Sequence, residues 1–201
     1  GKFAPLDLFG IYNIGFFWAS FPMLLGGMVT QKVLIPIYRE TPPKQSPENF
    51  AKLRKMRFVV SSLLMGFVGV FALLGVWLVS LLYDARYAQA GAVAVVLAVA
   101  QIPMLIVMTY DQAALAAGDS KRFFVLALAR AVLMFAGIWI GWEAGDLLGA
   151  LIGQGAAFVL AYPVVVWLAR HMGAWDPLHD AVFAGIGVGI AVAALWLNGA
   201  A

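Results

Sequence analysis

The chain has 201 residues, 64% of them hydrophobic and 11% charged, against roughly 45–50% and about 25% in soluble domains. No soluble domain of this size has interior enough to hide so much apolar side chain, so soluble enzymes, nucleic-acid binders and disordered tails are excluded and a polytopic membrane protein is implied. The net charge of +3 is read as a topology signal rather than as affinity for nucleic acid. With no Cys there is neither a disulfide framework nor a thiolate metal site, and two His remain for other metal chemistry; no cofactor is implied.

The chain opens at Gly1 without Met, basic n-region or cleavage site. Residues 1–7 read as the exit loop of an earlier helix, and the expectation is a piece of a longer protein whose upstream part is missing. A span needs about 20 apolar residues to cross a core about 30 Å thick. Uncharged runs then predict spans over residues 8–38, 58–83, 88–117, 123–142, 147–169 and 181–197. Nothing alternates as a strand would, so the fold class is all-α: a polytopic transmembrane helix bundle of about six spans.

Lys and Arg fix the orientation. The loop 39–57 carries Arg39, Lys44, Lys52, Arg54, Lys55 and Arg57. The turn 118–122 adds Lys121 and Arg122, the fifth span ends at Arg170, and Lys32 lies near the same end of the first. That places ten basic residues inside and two, Lys2 and Arg86, outside, with Arg130 within a span. Residue 1 then lies outside, which demands an odd number of upstream spans if the N-terminus is cytoplasmic. Aromatic residues fit the same frame, with Trp77, Tyr83, Trp139 and Trp142 at outer ends and Tyr38, Trp167 and Trp175 at inner ones. Within the first loop, Ser46 and Pro47 read as an N-cap and first helical position, opening a short amphipathic lead-in through Phe50, Leu53 and Met56. Basic residues beside it are placed to meet anionic headgroups or simply solvent.

Gly145, Gly149 and Gly153 recur every four residues, and Gly185 with Gly189 repeats the spacing. Such rows let helix backbones approach closely; the expectation is packing, with a sliding hinge as the alternative. Pro22, Pro36, Pro103 and Pro163 lie in or near spans and would bend them.

A charge within a span costs from about 2.5 to above 10 kcal/mol and needs a reason. Asp111 lies nine and a half residues before the midpoint of the turn between Ser120 and Lys121, and Arg130 the same distance after it. Both therefore sit roughly 14 Å along their helices, at equal depth in an antiparallel hairpin, where they can pair. One reading is an ion pair locking the hairpin; the other is a cavity-facing cation released to an anionic substrate. On the first span Asn13, Ser20 and Gln31 share one face, with Lys32 about 100° round and free to snorkel. Gln101 and Gln112 share a face of the third span, and Gln154 stands among glycines on the fifth. Together these suggest a hydrated cavity, with Arg130, Asp111, Lys32, Asn13, Gln31 and Gln101 as candidate substrate-binding residues.

Catalysis has little to work with. His171, Asp176, His179 and Asp180 cluster in one inner loop, where a metal or acid–base site competes with a plainer reading, an interfacial turn in which Asp176 caps the last span. There is no H-E-x-x-H, nucleophile elbow or phosphate-cradling glycine loop, so the expectation is not an enzyme.

Several short motifs carry a resemblance. Gly10-Ile-Tyr12 opens the first span and Ile35-Pro-Ile-Tyr-Arg39 ends it. Leu81-Leu-Tyr-Asp-Ala-Arg-Tyr87 is followed by Ala90, and Leu115-Ala-Ala-Gly118 precedes Lys121-Arg122. With Gly145-x3-Gly149-Ala150, their order and spacing resemble the oligosaccharide flippases, the polysaccharide biosynthesis or O-antigen transporter branch of the multidrug/oligosaccharidyl-lipid/polysaccharide exporter superfamily. Tyr83 departs from the Phe or Leu of the pattern, and one extra residue separates the two glycines.

The resemblance implies one lobe of a two-lobe transporter, the C-terminal one, with the N-terminal lobe of the same chain as partner. It also implies movement of an undecaprenyl-pyrophosphate-linked glycan across a bacterial inner membrane by alternating access. Arg130 would hold pyrophosphate or acidic sugar, with Lys32 as a second candidate at the inner mouth. Two rivals remain. A multidrug or cation antiporter of the same superfamily would rely on Asp111 as its carboxylate, whereas a membrane-embedded glycan polymerase or transferase would need a large outer loop.

Overall fold

In the computed structural model, residues 6–199 are described; the exit-loop reading of residues 1–5, and with it Lys2, lies outside them. Helix α1 (Leu6–Glu40) runs unbroken through Pro22 and Pro36. Helix α2 (Pro47–Leu82) begins where Ser46 accepts a hydrogen bond from the backbone N–H of Asn49 at 3.1 Å. The expected N-cap is thus present, but the connection is shorter than the predicted loop 39–57, because no further proline or glycine stands between Pro47 and Gly66 and the lead-in propagates directly into the span.

A single 3₁₀ turn (Ala85–Tyr87) leads into α3 (Ala88–Ala116). Next comes α4 (Ser120–Leu160), in which the backbone leaves helical geometry at Gly145 and Asp146. Helices α5 (Tyr162–His171) and α6 (Pro177–Gly199) complete the chain. Five helical segments are long and apolar enough to cross a membrane, one of them the 52-residue stretch 120–171. The break at residues 145–146 divides that stretch into the two predicted spans, so the protein is an all-α multi-pass membrane bundle.

Gly149 and Gly153 pack, as their spacing predicts, but against the other limb of their own hairpin. A Cβ on Gly141 would fall on the Gly149 carbonyl, and one on Gly153 on the Gly137 carbonyl. Gly145 is the turn itself. Gly185 and Gly189 meet nothing within 4 Å, and it is Gly187, on the opposite face, that lies against Ile102. The second small-residue row is therefore not a packing seam within this bundle.

Helix α3 is the centre, packing against α1, α2, α4, α5 and α6. A helix apolar all round belongs in the interior, and α3 is built that way, with Ala90, Ala94, Leu97, Ala98, Leu105 and Ala114 all buried. Small side chains bring its neighbours close: Gly91 abuts Val76 of α2, and Ala100 abuts Gly155 of α4. Because α3 is surrounded, successive residues along it, turned about 100° apart, reach different helices. That property creates the polar belt described next.

Candidate functional site

Four consecutive residues near the C-terminal end of α3 point in different directions. Thr109 accepts a hydrogen bond on Oγ1 from Arg57 Nε of α2 at 3.1 Å, and its carbonyl accepts one from the Tyr38 hydroxyl of α1 at 3.2 Å. The hydroxyl of Tyr110 donates to Asp180 Oδ1 of α6 at 2.8 Å. Asp111 Oδ2 accepts from Arg130 Nη1 of α4 at 2.6 Å, while Gln112 Nε2 donates to Thr30 Oγ1 of α1 at 3.4 Å. One helical turn thus ties α3 to four neighbours through polar groups.

Asp111 and Arg130 meet, as their equal distances from the turn predict. Their side chains retain only 14% of their accessible surface. The pairing uses one arm of the guanidinium and one carboxylate oxygen. Arg130 Nε and Nη2 and Asp111 Oδ1 are buried with no hydrogen-bond partner. Buried polar atoms are overwhelmingly paired in native proteins, so three unmet atoms on one ion pair set this pair apart from the other ion pairs of the described residues.

The remaining candidates do not converge with that pair on one cavity. Asn13, Gln31 and Lys32 are exposed on α1, on a helix that also shows Phe16, Phe17 and Leu24 outward. Gln101 is buried on α3 with its Oε1 unpartnered. These polar residues divide between exposed positions on α1 and a packed core, because α3 is enclosed and α1 is an outer helix.

A second cluster was not legible as such. Arg57, expected among the loop cations, is completely buried. Its guanidinium donates to Thr109 Oγ1 and, at 3.0 Å, to the Ala174 carbonyl; it lies 3.2 Å from His179 Nδ1 and 3.7 Å from Asp180 Oδ1. Asp180 also accepts from the Tyr162 hydroxyl of α5 at 2.9 Å. His179 Nε2 is 2.8 Å from Ser61 Oγ, and Nδ1 is 3.0 Å from Asp180 Oδ1. The signal in the sequence was the spacing. Arg57, Ser61, Leu64 and Val68 recur at four, three and four residues, so Arg57 belongs to the buried stripe of α2 rather than to the loop. Tyr38, expected at the interface, is likewise buried, in contact with α3.

Asp176 caps α6 as predicted, accepting from the His179 backbone N–H at 3.3 Å. Arg54 grips the same carboxylate with both arms, Nε at 2.5 Å and Nη2 at 3.0 Å. Burial, the largest single influence, works against the ionised form, but the hydrogen bonds from Arg54 and the His179 backbone N–H, together with the charges of Arg54 and Arg57, hold this carboxyl below its usual range. Of the two histidines only His179 joins the cluster; His171 is exposed.

Ser61, His179 and Asp180 have the connectivity of a hydrolytic relay. The hydroxyl, however, is 1% exposed, and a nucleophile needs room for a substrate at its oxygen. The arrangement is suited to moving or storing a proton. Beside it an apolar groove of about 550 Å³ runs between α3, α6 and the junction of α4 with α5, past Pro103, Phe158, Ala184 and Val188, with Asp180 and Tyr162 in its wall. Comparison of the chain with known protein families, curated proteins and solved structures finds no match.

Proposed function

We propose that the chain is one lobe of an alternating-access transporter carrying an undecaprenyl-pyrophosphate-linked oligosaccharide across a bacterial inner membrane. The observation that carries this reading is the half-used ion pair of Asp111 and Arg130. A guanidinium binds phosphate and carboxylate oxygens best through two parallel donors. Arg130 has two nitrogens without partners and one tethered to a neighbouring helix. An anionic headgroup entering here meets donors already desolvated, and the exchange of Asp111 for substrate couples binding to a change at the α3–α4 hairpin. The five ordered motifs supply the choice of glycan over other anions, and the basic ends of the spans supply the orientation.

Arg130→Ala should abolish surface glycan with protein level unchanged, and Arg130→Lys, which keeps charge but loses the fork, should restore only part of it. Loss of the protein itself from the membrane in Arg130→Ala, with normal glycan in Arg130→Lys, would make the residue a hairpin lock and overturn its role in transport. The unpartnered Asp111 Oδ1 favours one second reading, a cation antiporter of the same superfamily. There, Asp111→Asn would remove pH- or sodium-dependent dye efflux, whereas the glycan reading expects no such efflux in the unaltered protein.

A further inference from the structure

The ring of His179 is buried at the start of α6, and both its nitrogens are engaged. Charged and titratable groups face it or its partners from several elements: Arg54 and Arg57 of α2, Tyr110 of α3, Tyr38 of α1 beyond Arg57, Tyr162 of α5, and Asp176 and Asp180 beside it. Each cation has a carboxylate, Arg54 with Asp176 and Arg57 with Asp180.

Nδ1 faces two groups, Asp180 Oδ1 at 3.0 Å and Arg57 Nη2 at 3.2 Å. The shorter contact, and the repulsion between an imidazole lone pair and a carboxylate, favour the tautomer with the proton on Nδ1, in which Arg57 meets the ring without donating to it. With that proton on Nδ1, Nε2 is left as an acceptor for the Ser61 hydroxyl. Nε2 is then the basic nitrogen of the cluster. It rests against a hydroxyl, the side-chain group that changes from donating to accepting by rotation alone.

We propose that His179 Nε2 is a proton-binding site that controls the grip of α2 on the start of α6. A proton from water adds to Nε2. The new N–H donates to Ser61 Oγ, and the Ser61 O–H turns to the carbonyl four residues back, that of Arg57, as helical serines can. The ring now carries a positive charge 3.2 Å from the Arg57 guanidinium. Repulsion at that distance acts on the group that holds the Ala174 carbonyl. Protonation therefore loosens the link between α2 and the segment leading into α6, and loss of the proton restores it. The site does not depend on what the protein carries.

The test uses the full chain in lipid nanodiscs. With His171→Gln leaving one imidazole, nitrogen-15 histidine spectra should show Nδ1 protonated and Nε2 bare at about pH 8, and both protonated toward about pH 5. The described sequence contains no Cys, so spin labels at Lys55→Cys and Leu178→Cys report the α2–α6 separation. It should change on acidification by about 1–2 Å or more, the scale of helix shifts, and should not respond in His179→Gln. A ring that stays neutral to about pH 5, or one that charges with no change in separation, overturns the proposal, as does a His179→Gln variant that responds like the unaltered chain. If His179→Gln does not fold, the two measurements on the unaltered ring decide.

Discussion

The guanidinium carbon of Arg57 lies 3.7 Å from the centre of the Tyr110 ring, and the Tyr110 hydroxyl reaches the carboxylate that balances that charge. A cation stacked on an aromatic face, hydrogen-bonded through Nε and Nη1 and opposed by Asp180, is a compensated buried charge. Removing one member of such a set leaves the other charge uncompensated. Arg57→Ala should therefore lower stability by about 3–5 kcal/mol, and Arg57→Lys should recover little, because an ammonium lacks the planar fork that meets Thr109 and Ala174 from separate nitrogens while stacking on Tyr110. Thermal unfolding of the purified protein in detergent measures both.

The glycine seam inside α4 makes a contrast that one experiment can read. Gly141 and Gly153 lie against backbone carbonyls of the opposite limb, whereas Gly185 and Gly189 face open space. Backbone cannot move aside as a flexible side chain can. Gly141→Val and Gly153→Val should separate the limbs and cost several kcal/mol, on the scale of severe overpacking. Gly185→Ala and Gly189→Ala should be neutral or slightly stabilising through better helix propensity. Equal losses at all four positions, in the same detergent unfolding assay, would refute this assignment of the seam.

Asp146 turns the hairpin with φ 50 and ψ −135, a conformation that costs a non-glycine residue about 1–3 kcal/mol. Its side chain is exposed, so little packing is lost on removal. Asp146→Gly should raise stability by up to about 1 kcal/mol after the entropy of the unfolded glycine is counted. A β-branched residue such as Val should lower it.

The spans, the Ser46 and Asp176 caps and the Asp111–Arg130 pair were legible because each depends on local spacing: an uncharged run, a capping residue before proline, two positions equidistant from a turn. Arg57 was misplaced because it follows Lys52, Arg54 and Lys55, and a charge among charges reads as solvated. Its burial is decided by the return of α6 onto α2, a contact separated by 122 residues. The partner of the Gly149 row was hidden for a related reason: spacing shows that a helix face is small, but not which backbone will lie on it. Asn13, Gln31 and Lys32 are polar positions whose exposure follows from α1 being peripheral, and the pattern of α1 alone cannot reveal that.

Asp176 gives a pH dependence whose sign can be worked out. Against burial, the largest single influence, its folded-state carboxyl is held below the usual range by the Arg54 fork together with the His179 backbone N–H and the Arg57 charge. A depressed carboxylate contributes stability that is present above its unfolded value of about 3.9 and disappears as the pH falls through the lower folded value. Unaltered protein should therefore lose melting temperature on acidification below about pH 4 more steeply than Asp176→Asn, which keeps a capping oxygen but has no charge to lose. The gap between the two should be widest near neutral pH and close in acid. Arg54→Gln should flatten the same limb of the curve, since it removes the donors that depress the carboxyl. A gap that widens as the pH falls would mean that burial, not Arg54, governs this carboxyl, and that the cap of α6 is held without the ion pair.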